Sequence, residues 1–484
     1  MTTIKLDPGA ALLLDALHGA GHAAYAVGGC VRDSLLGLAS HDWDLCTSAR
    51  PEQVMALFGE EKCIPTGLQH GTVTVKQGGR LYETTTFRTE GAYSDGRHPD
   101  AVCFVPDVRE DLARRDFTIN AMAYSAEEGL IDPFGGRDDL AAHLVRAVGE
   151  PERRFEEDAL RILRLYRFAA RFGFAIDPAT GAAARALGPH LDCVSAERIQ
   201  EELLKLLAAP RPGSYLEPAV LAVVLPELEP EKQPERFAEL CRTIDRIEPT
   251  AENVPARLAA LLWPLGEAGA RKALRKLKCS NALTDEVTAL EREAGGGAGS
   301  FLLGHEFELR HPADALCLER HSHPAGRCPN SNSLFPPQAA VVAVAGHSIA
   351  RPIACGNRVP PQRTVLGETP GTPNTTLTVQ AKRLLGRYEL PTIQRLTALC
   401  SARHPEQIGA FAALRAEAER LTAENACCRV SQLAVNGRDL MAAGVRPGPG
   451  LRQVLNALLE AVITGQTPNE KDALLAAAAQ FSAS

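Results

Sequence analysis

Two aspartates with one residue between them, Asp42 and Asp44, are the first residues whose types and spacing suggest chemistry. Two carboxylates this close repel each other, and a divalent cation relieves the repulsion. Mg²⁺ prefers one or two carboxylates, with water and substrate phosphate completing its coordination shell. The pair therefore predicts a Mg²⁺ site, although an isolated Asp-x-Asp pair is more often a solvated or capping pair in a surface loop.

A pair of glycines, Gly28 and Gly29, precedes the aspartates and is followed by the amphipathic run CVRDSLLG, which carries Arg32. Glycines before a helix let backbone N–H groups approach an anion at the helix N-terminus. The glycine turn can bind the phosphates, and the paired aspartates can hold metal that acts at the reacting phosphorus. Together these two features predict a nucleoside triphosphate site. The whole stretch, AVGGCVRDSLLGLASHDWDLCT, therefore predicts nucleotide chemistry.

The elements that position these residues follow from hydrophobic periodicity. The sequence predicts a helix over 9–24, a strand at YAVGG, a helix at VRDSLLG that ends at Gly37, and a strand at WDLCT. In that second strand, Asp42 and Asp44 would project from the same face of a sheet. The alternating segment over 71–87, GTVTVKQGGRLYETTTF, predicts a hairpin on the same sheet because it turns at two glycines.

Composition narrows the class of protein. The 484 residues are 45% hydrophobic and carry a net charge of −7, which excludes a surface that is basic all over but allows a local basic groove. The apolar N-terminal run is interrupted by Asp15, His18 and His22 and lacks a basic leader, so we expect neither a signal peptide nor a membrane span. Thirteen scattered cysteines favour free thiols and a cytoplasmic protein.

The pattern changes along the chain. Helical periodicity with Leu, Ala and Arg dominates from about residue 150, lapses in a stretch dense in Pro, Gly, Asn and Ser, and then returns. The predicted organisation is an α/β head, a helical neck, a helical body, an irregular insertion and a helical tail, over 1–148, 149–210, 211–301, 302–378 and 379–484.

Several blocks of the sequence, in order, resemble a known family. They include GGCVRDSLLG, HDWDLCTSA, GLQHGTVTV, EDLARRDFTINAMAY, RRFEEDALRILRLYRFAARFGF and SAERIQEELLKLL, and they cover 25–207 almost without gaps. These blocks are similar to the signature blocks of bacterial CCA-adding enzymes, class II tRNA nucleotidyltransferases of the DNA polymerase beta superfamily. The resemblance implies an α+β fold: a nucleotidyltransferase α/β head with a small mixed or antiparallel sheet, then an elongated all-helical body and tail. It also implies that the head is catalytic, that the neck carries a base-reading helix and that the tail binds tRNA.

The resemblance also implies roles for particular residues. It makes Asp42 and Asp44 the ligands of the catalytic metal, Mg²⁺, and makes Glu83 a third catalytic carboxylate on the adjacent hairpin. It assigns the block LARRDFTIN to the ribose and triphosphate of the nucleotide, with Arg115 and Asp116 as the first choices, because arginine forks bind phosphate and a carboxylate accepts from sugar hydroxyls. Without the resemblance, Glu83 would be interpreted as an exposed strand residue. The Arg-Arg-Asp cluster would be interpreted as a set of ion-paired residues at the start of a helix.

A second set of implied residues would read the incoming base. On one predicted helix, Glu157, Arg161 and Arg164 lie at i, i+4 and i+7 and share a face. The resemblance assigns Glu157, Asp158 and Arg161 to base reading, and Arg164 extends the face. Cytosine and adenine both offer an amino donor beside a ring-nitrogen acceptor, which an aspartate and an arginine complement, whereas uracil and guanine present the opposite order. The alternative is a solvated helix face with i, i+4 ion pairs.

The predicted function is addition of the 3′-terminal CCA to tRNA from CTP and ATP, with release of pyrophosphate and with the protein as its own template. The partners are the tRNA acceptor end and the two nucleotides, with no membrane and no protein partner expected. The alternatives are a poly(A) polymerase, or an enzyme of the same family that adds only CC or only A. A tRNA-binding protein without turnover is the alternative from another class.

Overall fold

The computed structural model describes residues 3–90, 102–295 and 375–481. Its strands are β1 (Ala24–Val27), β2 (Leu45–Thr47), β3 (Cys63–Gly67), β4 (Thr72–Gln77), β5 (Arg80–Thr86), β6 (Arg88–Glu90), β7 (Val102–Phe104), β8 (Ala123–Ser125), β9 (Gly129–Ile131), β10 (Leu144–Val145) and β11 (Ala175–Ile176). The helices of the head and neck are α1 (Pro8–Gly19), α2 (Gly29–Leu35), α3 (Pro51–Phe58), α4 (Val108–Ala113), α5 (Gly136–Ala141), α6 (Pro151–Glu157), α7 (Leu160–Phe172), α8 (Pro178–Ala186) and α9 (Ala196–Leu207).

The remaining helices belong to the body and tail. They are α10 (Pro218–Val224), α11 (Pro234–Arg246), α12 (Val254–Leu262), α13 (Gly266–Lys276), α14 (Asn281–Ala294), α15 (Thr375–Arg387), α16 (Leu390–Arg403), α17 (Ile408–Ala423), α18 (Gly437–Ala442), α19 (Pro449–Ile463) and α20 (Lys471–Phe481). A mixed sheet at the N-terminus followed by helices confirms the predicted α+β class.

The head is built on one seven-stranded sheet with the order β3-β4-β5-β2-β1-β8-β9. Its neighbouring strands are antiparallel except for β2 and β5, which are parallel. The predicted hairpin is confirmed, because β4 and β5 pair across a turn at Gly78 and Gly79, both of which have positive φ. Since β5 lies beside β2, with Thr84 opposite Leu45, the sheet brings Glu83 toward the two aspartates.

The prediction that Asp42 and Asp44 lie within a strand is wrong, because β2 begins at Leu45. The alternation of side chains between two opposite faces nevertheless includes the residues that precede the strand. Trp43 is buried, whereas Asp42 and Asp44 are exposed, so both carboxylates lie on the side away from the indole. The Val27 N–H donates to the Asp44 carbonyl, which ties this segment to β1 without a full strand ladder.

The single helix predicted for the base-reading face is also wrong. Helix α6 ends at Glu157 and α7 begins at Leu160, with Asp158 in an extended conformation between them. The Asp158 carboxylate accepts the Leu160 N–H at 3.0 Å and so satisfies one of the free donors at the start of α7. The neck is not wholly helical either, because β11 pairs in parallel with β10.

The body and the tail helices α15 to α17 continue the hydrophobic core of the head, whereas the end of the tail has a small cluster of its own around Leu440 and Leu458. Most of the predicted insertion over 302–378 lies outside the described residues, and its last residues begin helix α15 rather than an irregular segment. The cysteines in the described part of the chain are free thiols. Among the described helices, none combines the length and apolar character that a membrane crossing needs.

Candidate active site

A polar cleft of about 380 Å³ lies between the head sheet and helix α7. Its lining contains most of the residues that the sequence singled out for nucleotide binding: Gly28, Gly29, Arg32, Asp42, Asp44, Arg115, Asp116 and Arg164. Further residues complete the wall: Asp33, Ala39, Ser40, His41, Asn120, Arg167, Phe168 and Arg171. The volume is that of a small-molecule site, and its lining is mainly charged.

The first glycine of the cleft has a backbone that other residues rarely adopt. Gly28 has φ of +77°, and its N–H donates to the Met122 carbonyl at 3.1 Å. A Cβ atom added at this position would lie 2.8 Å from Nη1 of Arg115. Glycine therefore serves two purposes here, since it permits the turn and leaves room for a cleft arginine.

Substituting this glycine tests the packing of the cleft. We expect Gly28→Ala to weaken nucleotide binding about tenfold, because the methyl group displaces Arg115 and strains the turn. The measurement is the dissociation constant for CTP. Gly19→Ala is the matched control, since nothing lies within 4 Å of a Cβ atom at Gly19. Equal CTP affinity in the Gly28 variant and the unmodified protein would contradict the proposed close packing.

Carboxylates form one edge of the cleft. The protein around Asp44 removes solvent from its carboxylate and raises its pKa, while Arg115 opposes this shift and the negative charges of Glu83 and Asp42 add to it. Three carboxylates thus lie close enough to influence one another, and their mutual repulsion suits a divalent cation. Within the described residues, these side chains do not already form a group of three metal ligands, so cation binding would require them to converge.

The buried Asp116 and the partly exposed Arg164 form an ion pair between the head and α7. The Asp116 carboxylate accepts from Nε and Nη2 of Arg164 at 2.9 and 2.6 Å and from the Asn120 side chain at 3.0 Å. Burial alone would raise the pKa of Asp116, but Arg164 and Asn120 hold it well below its usual value. Burial alone would lower the pKa of Arg164, but Asp116 raises it. The pair therefore stays charged and fixes Arg164 in the cleft wall.

Arg32 is a buried cation in the same wall, with 3% of its surface exposed. Its guanidinium donates to Asp33 at 2.8 Å and to Asn120, and it lies over the rings of Phe168 and Phe172 at 5.2 and 4.8 Å from their centroids. Burial lowers the pKa of Arg32, whereas the Asp33 carboxylate opposes that shift. The sequence predicted Arg32 as a nucleotide ligand, and its side chain is held rigidly at the cleft.

Helix α7 contributes three more residues to the lining that lie outside the predicted site. Arg167 forms an ion pair with Glu202 at 2.8 Å, and Arg171 forms one with Asp33 at 3.2 Å. Phe168 lies beneath Arg167, whose guanidinium is 4.2 Å from the ring centroid. The signal was present in the sequence, because Arg164, Arg167, Phe168 and Arg171 follow helical spacing along one face.

The three residues implied to read the base are close to the cleft but are not among the residues that line it. Arg161 donates to Glu157 at 2.7 Å and to the carbonyls of Arg154 and Arg114 at 3.1 and 3.0 Å. Asp158 accepts from Arg198 at 2.8 Å. The structure therefore brings Arg164 into the lining and holds Glu157, Asp158 and Arg161 in contacts with other protein groups.

A fully buried carboxylate behind the cleft was missed. Asp111 accepts from the Arg88 N–H at 3.2 Å and from Nε of Arg114 at 3.0 Å, and its other oxygen lies 3.5 Å from Arg115. It thus connects the end of the hairpin to the arginines of the block LARRDFTIN. The i+3 and i+4 spacing in DLARR was the available signal, but nothing local indicated that this aspartate is buried.

Comparison with known proteins assigns the family. The head domain of poly A polymerase matches residues 24–146, a probable RNA and SrmB binding site of polymerase A matches 173–231, and a putative second domain of tRNA nucleotidyltransferase matches 393–478. The CCA-adding enzyme of Lactiplantibacillus plantarum is 33% identical over 466 residues, which cover 96% of this chain and 93% of that enzyme. The chain belongs to the CCA-adding enzyme family. The resemblance seen in the sequence is thereby confirmed.

Other members of the CCA-adding enzyme family match in sequence or in structure. The Leuconostoc citreum enzyme is 44% identical over 252 residues, and the chain spans 60% of its length in that match. The structure of the Bacillus stearothermophilus enzyme in complex with CTP has a TM-score of 0.70 and 29% identity, and the match covers 98% of each chain. The Thermotoga maritima enzyme complexed with tRNA, at 19% identity and a TM-score of 0.58, shares the fold.

Proposed function

We propose that this protein completes the 3′ end of tRNA by adding C, C and A from CTP and ATP with release of pyrophosphate. The observation that carries the proposal is the cleft itself, in which an edge of carboxylates faces a wall of arginines in a chain of the CCA-adding enzyme family. Arginines bind the negative oxygens of a triphosphate, and a carboxylate edge suits the metal of nucleotidyl transfer.

The chemistry assigns a role to each side of the cleft. Asp42 and Asp44 would hold Mg²⁺, which supplies charge neutralisation at the reacting phosphate and activation of the attacking hydroxyl. Glu83 supplies a third carboxylate from the neighbouring strand. The 3′ hydroxyl of the RNA loses its proton to solvent, and its oxygen forms a bond to the α-phosphorus while the bond from that phosphorus to the bridging oxygen breaks and pyrophosphate leaves. Arg115 and Arg164 bind the triphosphate, and Asp116 orients Arg164.

Base selection belongs to Asp158 and Arg161 in this proposal. An aspartate accepts from the amino group shared by cytosine and adenine, and an arginine donates to the adjacent ring nitrogen. Because the Arg161 guanidinium donates to Glu157 and to two backbone carbonyls, reading a base requires release of at least one of these contacts. A base of the opposite pattern leaves groups unpaired at about 1 to 3 kcal/mol each, enough for a discrimination of about a hundredfold.

Replacing Arg161 tests this templating role. We expect Arg161→Ala to reduce the preference for CTP over UTP about tenfold, because the donor to the ring nitrogen is lost while the carboxylate edge is intact. The measurement is the ratio of kcat/KM for the two nucleotides. Arg137→Ala is the control, since the Arg137 side chain is exposed and is not part of the cleft lining. Undiminished rejection of UTP in the Arg161 variant would contradict the role.

Turnover separates this proposal from a tRNA-binding protein without catalysis. The experiment measures pyrophosphate released from CTP in the presence of Mg²⁺ and a tRNA that ends at its discriminator base. We expect two pyrophosphates per tRNA, because two C residues are added before ATP is needed. Tight tRNA binding with no pyrophosphate would support the alternative. Poly(A), CC-only and A-only activities remain the alternatives within the family, and the products distinguish them.

A further inference from the structure

Helix α9 packs against α7 and presents two charged side chains, Arg198 and Glu202, which are one helical turn apart. We infer that these are positioning residues with separate tasks: Arg198 orients Asp158 for base selection, and Glu202 orients Arg167 and Arg164 for nucleotide binding. This inference rests on the proposed function. Neither α9 residue is among those that line the cleft, so each would act through the side chain that it holds.

The first contact fixes a residue whose carboxylate has one local hydrogen bond, from the Leu160 N–H at 3.0 Å. Asp158 lies in the break between α6 and α7, where the backbone is extended rather than helical. Its carboxylate accepts from Nη2 and Nη1 of Arg198 at 2.8 and 3.3 Å, and the two side chains are only 15% and 21% exposed. A forked contact to both carboxylate oxygens determines their direction as well as their charge. The orientation of Asp158 thus depends on a residue forty positions later in the sequence.

The second contact holds the cleft wall. The Glu202 side chain is 6% exposed, and its two oxygens lie 2.8 Å from Nε of Arg167 and 3.9 Å from Nη1 of Arg164. Burial lowers the pKa of Arg167 to about 10, while the Glu202 carboxylate opposes the shift. The buried carboxylate therefore keeps the two arginines charged and close together, although their positive charges repel each other.

These contacts lead to different expectations for the two residues. Loss of Arg198 leaves the Leu160 N–H as the contact that holds the Asp158 carboxylate, so the second carboxylate oxygen is no longer oriented and recognition of the amino group common to cytosine and adenine weakens. Loss of the Glu202 charge loosens arginines that would contact the part of the nucleotide common to all four bases. A helix with a structural role alone would alter activity toward every nucleotide equally, whichever residue is changed.

The experiment measures kcat and KM for CTP, ATP and UTP with a tRNA substrate in four variants of the full chain. They are Arg198→Ala, Arg198→Lys, Glu202→Gln and the control Glu201→Gln. Glu201 is the neighbour of Glu202 but lies on the exposed side of α9 and pairs with Lys205. Melting temperatures of all four variants are measured alongside, and Arg198→Lys, which preserves the charge, keeps the inference testable if the alanine variant unfolds.

We expect Arg198→Ala to lower the CTP to UTP ratio of kcat/KM about tenfold, with partial recovery in Arg198→Lys, because lysine supplies one donor in place of a fork. We expect Glu202→Gln to raise KM for CTP and ATP alike, without changing the ratio. An unchanged ratio in both Arg198 variants, or equal effects of the Arg198 and Glu202 changes on the ratio, would overturn the inference. Failure of the proposed function would instead appear as absent extension by the unmodified protein.

Discussion

Replacement of Asp44 with asparagine is expected to reduce nucleotide addition to tRNA on the order of 10³-fold. The change keeps the size of the side chain and removes one of the carboxylates that face the cleft. Asp44 lines the cleft beside Asp42, and burial together with the charges of Glu83 and Asp42 raises its pKa. The measurement is the single-turnover rate of C addition at saturating CTP.

The control for this prediction is Asp15→Asn on helix α1, where the side chain is exposed and lies outside the cleft lining. Both variants lose one negative charge, so an effect of net charge alone would be the same in both. The melting temperature should remain within a few degrees of the unmodified protein in each case, because asparagine keeps the size of the aspartate side chain. A rate of C addition in the Asp44 variant within threefold of the unmodified protein would refute the catalytic role.

Replacement of Arg257 with alanine is expected to destabilise the body by about 3 to 5 kcal/mol. Arg257 on α12 is fully buried and donates to the carbonyls of Leu207, Ala209 and Ile247, at distances that include 2.6 Å to Leu207 and 2.6 Å to Ile247. These carbonyls lie at the ends of α9 and α11, where helices have unsatisfied acceptors. Removing the guanidinium would leave them unpaired in the core.

The stability measurement is urea unfolding of the Arg257 variant and of Arg275→Ala, which removes an exposed arginine from α13. We expect the control to change the free energy of unfolding by less than about 0.5 kcal/mol. Because Arg257 fixes the end of α9, the variant should also lose nucleotide addition near its unfolding midpoint. A change below about 1 kcal/mol in the Arg257 variant would contradict the account of this buried cation.

Local pattern was enough to predict parts of the head. The β4–β5 hairpin was predictable because its alternation and its Gly78-Gly79 turn are both encoded within one short segment. The break before α7 was not predictable, since the surrounding Leu, Ala and Arg residues favour a helix and the helical spacing of apolar residues continues across the break. At the break, Asp158 contacts Arg198 on another helix. Local sequence does not reveal this contact, because the two residues are far apart in the chain.

The same distinction applies to the candidate site. The glycine turn and the paired aspartates are neighbours in the sequence, so their proximity could be predicted from spacing. The ion pair between Asp116 and Arg164 could not be predicted, because Arg164 lies 48 residues away and reaches Asp116 only through the packing of α7 on the head. The burial of Arg257 was equally hidden, since an arginine in the run VPARLAALL is ordinarily a surface residue of an amphipathic helix.

The most direct test of the proposed function is the size of the products that the purified protein makes on a tRNA ending at the discriminator base. The tRNA is incubated with Mg²⁺ and labelled CTP alone, labelled ATP alone, or both. We predict two added residues with CTP, three with both nucleotides, and none with ATP alone. A ladder of A residues, arrest after CC with both nucleotides, or extension only of a tRNA already ending in CC would contradict complete CCA addition.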